Sequence, residues 1–108
     1  MSALNNLIHT LSSLNDEEKE HLLSELRDDV DKVDSRISKL LIERLKLSIA
    51  IGTIKKTLGM KTYDAEREYE IDRNINQITE NPEIKKSLQR IYERIIDESR
   101  AIQRAREK

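Results

Sequence analysis

An apolar stripe at heptad spacing runs along the first half of the chain and is interrupted once, by an arginine. Its members recur at alternating steps of four and three residues: Leu26, Val30, Val33, Ile37, Leu40, Leu47, Ile51, Ile54 and Leu58. Arg44 occupies the missing position. Such a stripe normally faces a partner helix and stays dry, so an unpaired guanidinium in it would cost on the order of several kcal/mol. The sequence therefore predicts an anion beside Arg44, either a ligand or an internal carboxylate such as Glu68 or Glu98.

The stripe lies in a segment that is predicted to form one very long helix. Asn15 followed by Glu18 is a helix-start signal, and Gly59 is a natural stop, with no proline between them. A helix that continues to about Leu58 has about 42 residues and a length of about 63 Å. The remaining residues of a 108-residue chain are too few to cover it, which predicts a homodimer.

Two shorter helices are predicted after the long one. Asp64 is a suitable N-cap for the first of them. Its predicted inward positions are Arg67, Glu68, Ile71, Ile75 and Ile78. Asn81 followed by Pro82 is a strong start signal for the last helix.

The predicted fold class is all-α, with three helices per chain, one of them very long, in an intertwined helical homodimer. We expect residues 21–108 to form this helical domain. Residues 1–20 are expected to be an N-terminal extension, a short helix or arm, because Leu4, Leu7, Ile8 and Leu11 give it an apolar side.

The composition excludes several classes of function. With 20 basic and 21 acidic residues the net charge is -1, so there is no general attraction to nucleic acid or to an anionic membrane. The chain has no cysteine, and His9 and His21 lack the spacing of metal ligands. The first residues have neither a basic segment nor a continuous apolar run, which predicts no signal peptide, no membrane span and a cytoplasmic protein.

Polar residues interrupt or flank the apolar faces of all three predicted helices. Singly, each has an ordinary explanation, since an isolated arginine or lysine usually extends its charge to solvent. As a group they comprise four cations, one acid and two neutral hydrogen-bonding residues, without an equal set of inward acids. This pattern predicts a pocket for a small, multiply anionic ligand. The group is Arg27, Arg44, Lys55, Arg67, Glu68, Ser99 and Gln103.

Helix geometry limits which cations can share one ligand. Arg44 and Lys55 are separated by roughly 16 Å of helix, which long side chains can bridge around a ligand. Arg27 and Lys55 are separated by roughly 42 Å in the same helix and cannot both reach it. In an antiparallel dimer, Arg27 of one chain can instead approach Arg44 and Lys55 of the other.

Several ordered motifs resemble the AroQ-type, all-helical chorismate mutases. The resemblance covers roughly residues 24–104. It includes a Gly-x-x-Lys, an Asp-x-x-Arg-Glu and a Ser-x-x-x-Gln element at the family's spacing. One departure is Lys61, which occupies a loop position where family members often have proline. The segments that carry the resemblance are LRDDVDKVDSRISKLLIERLKLSIAIGTIKK, YDAEREYE and IIDESRAIQ.

The resemblance implies an intertwined homodimer that rearranges chorismate to prephenate without a cofactor or metal. It implies that Arg27, contributed across the dimer interface, and Arg44 bind the substrate carboxylates. Lys55 and Gln103 would bind the ether oxygen and Glu68 the ring hydroxyl. The remaining implied substrate-binding residues are Asp64, Arg67 and Ser99.

Two alternatives lead to different expectations. Some proteins of this fold cleave isochorismate to salicylate and pyruvate, but we expect altered Asp-x-x-Arg-Glu and Ser-x-x-x-Gln elements in them, and both elements are intact here. A non-catalytic helical dimerisation or regulatory module would instead pair each inward cation with an internal acid.

Overall fold

In a computed structural model, the chain is described over residues 2–62 and 65–107, and its side chains over 7–62 and 66–105. Within these ranges every regular element is a helix, which confirms the all-α prediction. The three predicted helices are α2, α3 and α4, and α1 lies within the predicted N-terminal extension. The four helices are α1 (Ser2–Leu11), α2 (Asp16–Thr57), α3 (Ala65–Ile78) and α4 (Pro82–Glu107).

Helix α2 begins with the reciprocal cap that the sequence predicted. The backbone N–H of Glu18 donates to Asn15 Oδ1 at 2.8 Å, and the backbone N–H of Asn15 donates to Glu18 Oε1 at 3.2 Å. Each residue thereby satisfies a backbone donor that the first turn of a helix leaves without an intrahelical partner.

Helix α2 ends in a Schellman motif around Gly59, as the sequence predicted. Gly59 has a φ of 67°, a left-handed conformation that glycine adopts without a Cβ clash. Its N–H donates to the carbonyl of Lys56 at 3.2 Å, and the N–H of Met60 donates to the carbonyl of Lys55 at 2.8 Å. The motif ends the helix directly after the turn that carries Lys55.

The start of α4 is also confirmed. Asn81 Oδ1 accepts the backbone N–H groups of Glu83 at 3.0 Å and of Ile84 at 3.1 Å. Proline follows as the first helical residue, where its missing N–H costs nothing. The predicted N-cap of α3, Asp64, lies outside the described residues.

The chain divides into two compact units, one up to Leu41 and one from Ile42 onward. The first contains α1 and the first part of α2, and its half-buried apolar residues include Leu7, Leu11 and Leu14. The second contains the remainder of α2, together with α3 and α4, which pack against each other.

The core of the second unit lies between α3 and α4, where Ile75 is only 3% exposed. Ile71 is half-buried, as predicted. The prediction that Ile78 faces inward was wrong, because this side chain is 66% exposed. Ile78 is the last residue of α3, so no following turn of the helix covers it.

The apolar stripe of α2 is exposed in the single chain. All nine of its residues have exposed fractions between 39% and 65%. Only Ile75 is a buried apolar residue among the side chains at 7–62 and 66–105. None of the described helices has an apolar stretch long enough to cross a bilayer.

Candidate active site

Helices α2, α3 and α4 surround a pocket of about 360 Å³ in the second unit. Six of the eight predicted site residues line it: Arg44, Lys55, Arg67, Glu68, Ser99 and Gln103. The wall between them is apolar and includes Leu47, Ile51, Ile71 and Ile96. The pocket thus combines charged and hydrogen-bonding groups with an apolar surface, which is typical of small-molecule sites.

The other two predicted site residues are not among these six. Arg27 lies on α2 in the unit that ends at Leu41, and its side chain is exposed. Asp64 falls outside the described residues.

Arg44 is held by one serine hydroxyl, which in turn accepts a hydrogen bond from a second serine. Its Nη1 donates to Ser99 Oγ, and Ser48 Oγ donates to the same atom at 3.1 Å. Both serines are buried, with exposed fractions of 5% for Ser48 and 6% for Ser99. Because a hydroxyl carries no net charge, this arrangement orients the guanidinium without neutralising it.

The two acids that the sequence offered as partners for Arg44 are paired elsewhere. Glu68 pairs with Arg100, and Glu98 pairs with Arg94 at 2.8 Å. Among the described residues, no carboxylate forms an ion pair with Arg44. Neither of the two acids that the sequence offered is therefore the partner of Arg44 in this structure.

Lys55 is the second cation of the pocket without a carboxylate partner in the described part of the chain. Its Nζ donates to the backbone carbonyl of Thr62 at 3.0 Å and lies 3.5 Å from Gln103 Oε1. The lysine is half-buried. A contact from the ammonium to the amide oxygen of Gln103 leaves the amide NH₂ of that residue as a donor for a ligand.

Among the side chains that the structure describes, Arg67 and Glu68, unlike Arg44 and Lys55, each form an ion pair. Arg67 was predicted to face inward, but its side chain is 63% exposed and forms an ion pair with Glu70 at 3.0 Å. It nevertheless lines the pocket, although most of its side chain remains exposed. Glu68 is more enclosed, at 25% exposure, and its Oε1 is buried.

Three polar residues that line this pocket, Ser48, Thr62 and Arg100, were not among the predicted site residues. Ser48 follows Arg44 by four residues on α2, a spacing that places both on one face, and this spacing was a usable signal. Arg100 follows Ser99 directly on α4, and nothing in the sequence pattern distinguished it from the other arginines of that helix.

No group of three or more His, Asp or Glu side chains could hold a metal ion within the described residues. The polar groups of the pocket are instead hydrogen-bond donors and one carboxylate. This set can bind an anionic organic molecule and stabilise negative charge on an oxygen atom.

Comparison with known proteins identifies a family that matches most of the chain. The chorismate mutase type II family matches residues 26–104. A chorismate mutase of Methanocaldococcus jannaschii is 30% identical over 83 residues, which cover 76% of this chain and 84% of the relative.

Two longer relatives are described as bifunctional chorismate mutase/prephenate dehydratases. The protein from Aquifex aeolicus is 38% identical over 80 residues, or 68% of this chain and 22% of the relative. The protein from Neisseria gonorrhoeae is 32% identical over 85 residues, or 79% of this chain and 23% of the relative. The chain thus spans less than a quarter of the length of either bifunctional protein. Residues 26–104, which the family matches, include the whole pocket from Arg44 to Gln103. The chain belongs to the chorismate mutase type II family.

Proposed function

We propose that this protein rearranges chorismate to prephenate. The observation that carries the proposal is the pair Arg44 and Lys55, which line one pocket and form no ion pair with a described carboxylate. Chorismate is a dianion that contains two carboxylates, a ring hydroxyl and an ether oxygen. The pocket offers cations for the two carboxylates and hydrogen-bonding groups for the ring hydroxyl and the ether oxygen.

The rearrangement is intramolecular and pericyclic. The ether C–O bond breaks as a new C–C bond forms, so substrate and product contain the same atoms and no proton is transferred. The site therefore needs neither a nucleophile nor a general base. It must hold the flexible dianion in a compact reactive conformer and stabilise the negative charge that grows on the ether oxygen.

The proposed roles divide these two tasks. Arg44, together with Arg27 from a second copy of the chain, binds the carboxylates through its guanidinium group. Lys55 and the amide NH₂ of Gln103 donate to the ether oxygen. Glu68 accepts a hydrogen bond from the ring hydroxyl. Arg67 and Ser99 complete the pocket, and Asp64, which lies outside the described residues, is proposed to bind the substrate near Glu68.

We further propose that the functional form is an intertwined homodimer. The exposed apolar stripe of α2 supports it, because nine apolar residues at heptad spacing need a matching surface. A second copy of α2 presents the same spacing. Sedimentation should show a dimer at micromolar concentration, and a stable monomer there would contradict the proposal.

This activity places the protein in the biosynthesis of phenylalanine and tyrosine, which we expect to take place in the cytoplasm. The net charge of -1 gives no general affinity for nucleic acids.

The direct test is incubation of the purified protein with chorismate, with the product identified by NMR. Prephenate is the expected product. Cleavage of isochorismate to salicylate and pyruvate, without prephenate formation, would assign the sibling activity. A ligand that binds only the folded state must raise the melting temperature of the protein. If neither substrate reacts, and a chorismate-like dicarboxylate does not raise that temperature, the result would favour a non-catalytic helical module.

A further inference from the structure

The carboxylate of Glu68 on α3 forms an ion pair with Arg100 on α4. Both side chains are largely enclosed, with exposed fractions of 25% for Glu68 and 30% for Arg100. Both also line the candidate active site. The pair therefore links two helices at the wall of the pocket, whereas the pair of Arg94 with Glu98 lies within α4 and is exposed.

The two oxygens of Glu68 have different surroundings. Oε1 is buried and in contact with Arg100. Among the described residues, Oε2 has no hydrogen-bond or ion-pair partner. A carboxylate shielded from water is costly to keep charged unless a cation compensates it, and arginine supplies a permanent positive charge.

A second acid near Arg100 in the described part of the chain is a weaker competitor for it. Asp97 Oδ1 lies 3.9 Å from Arg100 Nη1, and Asp97 is 61% exposed. An exposed pair at that distance contributes little, because solvent screens it. Of these two carboxylates, Glu68 is therefore the one that the guanidinium mainly holds.

We propose that Arg100 is a positioning residue for Glu68. It holds Oε1 and keeps the carboxylate ionised, which leaves Oε2 as the acceptor for a hydroxyl of the ligand. Arg100 acts through Glu68 and does not itself contact the substrate. This inference rests on the proposed function of the pocket and assigns Arg100 a part that the family resemblance does not.

A double-mutant cycle on chorismate turnover tests this coupling. Arg100→Leu in the wild-type background should lower kcat/KM about tenfold, within the range of coupling energies between contacting residues. In the Glu68→Ala background the same substitution should change kcat/KM less than about twofold, because the carboxylate that Arg100 holds is gone. Arg100→Lys should recover part of the loss, since it restores the charge.

Arg94→Leu is the matched control, since it removes an arginine from an Arg–Glu pair on the same helix but away from the pocket. It should leave kcat/KM unchanged. Melting curves of every variant report whether the fold is intact, and Arg100→Gln replaces Arg100→Leu in the cycle if the leucine variant does not fold.

The outcomes separate this proposal from the proposed function. A wild-type protein without chorismate turnover would overturn both. A wild-type protein with turnover, in which Arg100→Leu costs the same in both backgrounds or costs nothing, would overturn the role of Arg100 alone.

Discussion

Gly52 of α2 lies directly against Gln103 of α4, with no room for a side chain between them. A Cβ built on Gly52 would lie 2.9 Å from Gln103 Cα and 3.1 Å from Gln103 Cβ. The first of these atoms is backbone and cannot rotate away. This close approach brings Gln103 Oε1 to 3.5 Å from the Nζ of Lys55, which lies three residues after Gly52.

Gly52→Ala should therefore displace α4 and separate Gln103 from Lys55. A misplacement of about 1 Å in a preorganised site can lower the rate about 10²-fold, and we expect a loss of that order in kcat/KM for chorismate. Steady-state kinetics on the folded variant measure it. Activity equal to that of the wild type would show that α4 does not need this close packing.

Gly59→Ala should act on stability through a different cause. Apart from its two chain neighbours, no atom of the described residues lies within 4 Å of a Cβ at Gly59, but its φ of 67° is left-handed, and that conformation costs other residues about 1–2 kcal/mol. The free energy of unfolding, measured at fixed protein concentration, should fall by about this amount. Gly59→Asn should lose less, because asparagine tolerates the conformation better. Equal losses for alanine and asparagine would contradict this explanation.

Lys55→Ala should nearly abolish turnover and leave the protein folded. The ammonium is placed for charge that develops on the ether oxygen, and loss of one such donor costs about 10² to 10³ in rate. Lys56→Ala is the matched control, since the neighbouring lysine is exposed and does not line the pocket. Equal rate constants for the two variants would remove Lys55 from the proposed role.

Glu68→Gln should retain more activity than Glu68→Ala. The glutamine carbonyl can still accept a hydrogen bond from a ring hydroxyl, whereas a methyl group cannot. Kinetics at several chorismate concentrations would separate the effects on kcat and KM. Equal losses in the two variants would argue that Glu68 does not accept the ring hydroxyl.

Arg27→Ala and Arg44→Ala should each be nearly inactive, but a mixture of the two should regain activity. In a mixed dimer, one site carries both substitutions and the other carries neither. With free subunit exchange, roughly half of the dimers are mixed and half of their sites are intact, so roughly a quarter of wild-type activity is the upper limit.

The mixing experiment needs a direct measure of exchange, such as mass spectrometry of differently tagged chains. No recovery after confirmed exchange would mean that Arg27 and Arg44 do not meet across a dimer interface. The intertwined arrangement would then have to be abandoned.

The sequence by itself determined where α2 begins and ends and where α4 begins. The caps at Asn15, Gly59 and Asn81 depend on groups a few residues apart, so short-range sequence signals contain the necessary information. The period of the helix also places Arg44, Ser48 and Lys55 along one side of α2 before any tertiary contact is known. These local rules suffice to locate the pocket on three helices.

Only the tertiary structure decided which partner each polar group takes. Arg44 contacts Ser99, which lies 55 residues away in sequence, and Glu68 contacts Arg100 on another helix. Sequence periodicity offered Glu68 and Glu98 equally as partners for Arg44. The choice depends on distances between helices and on the burial of each group, which arise from packing between helices and not from the spacing of residues within one helix.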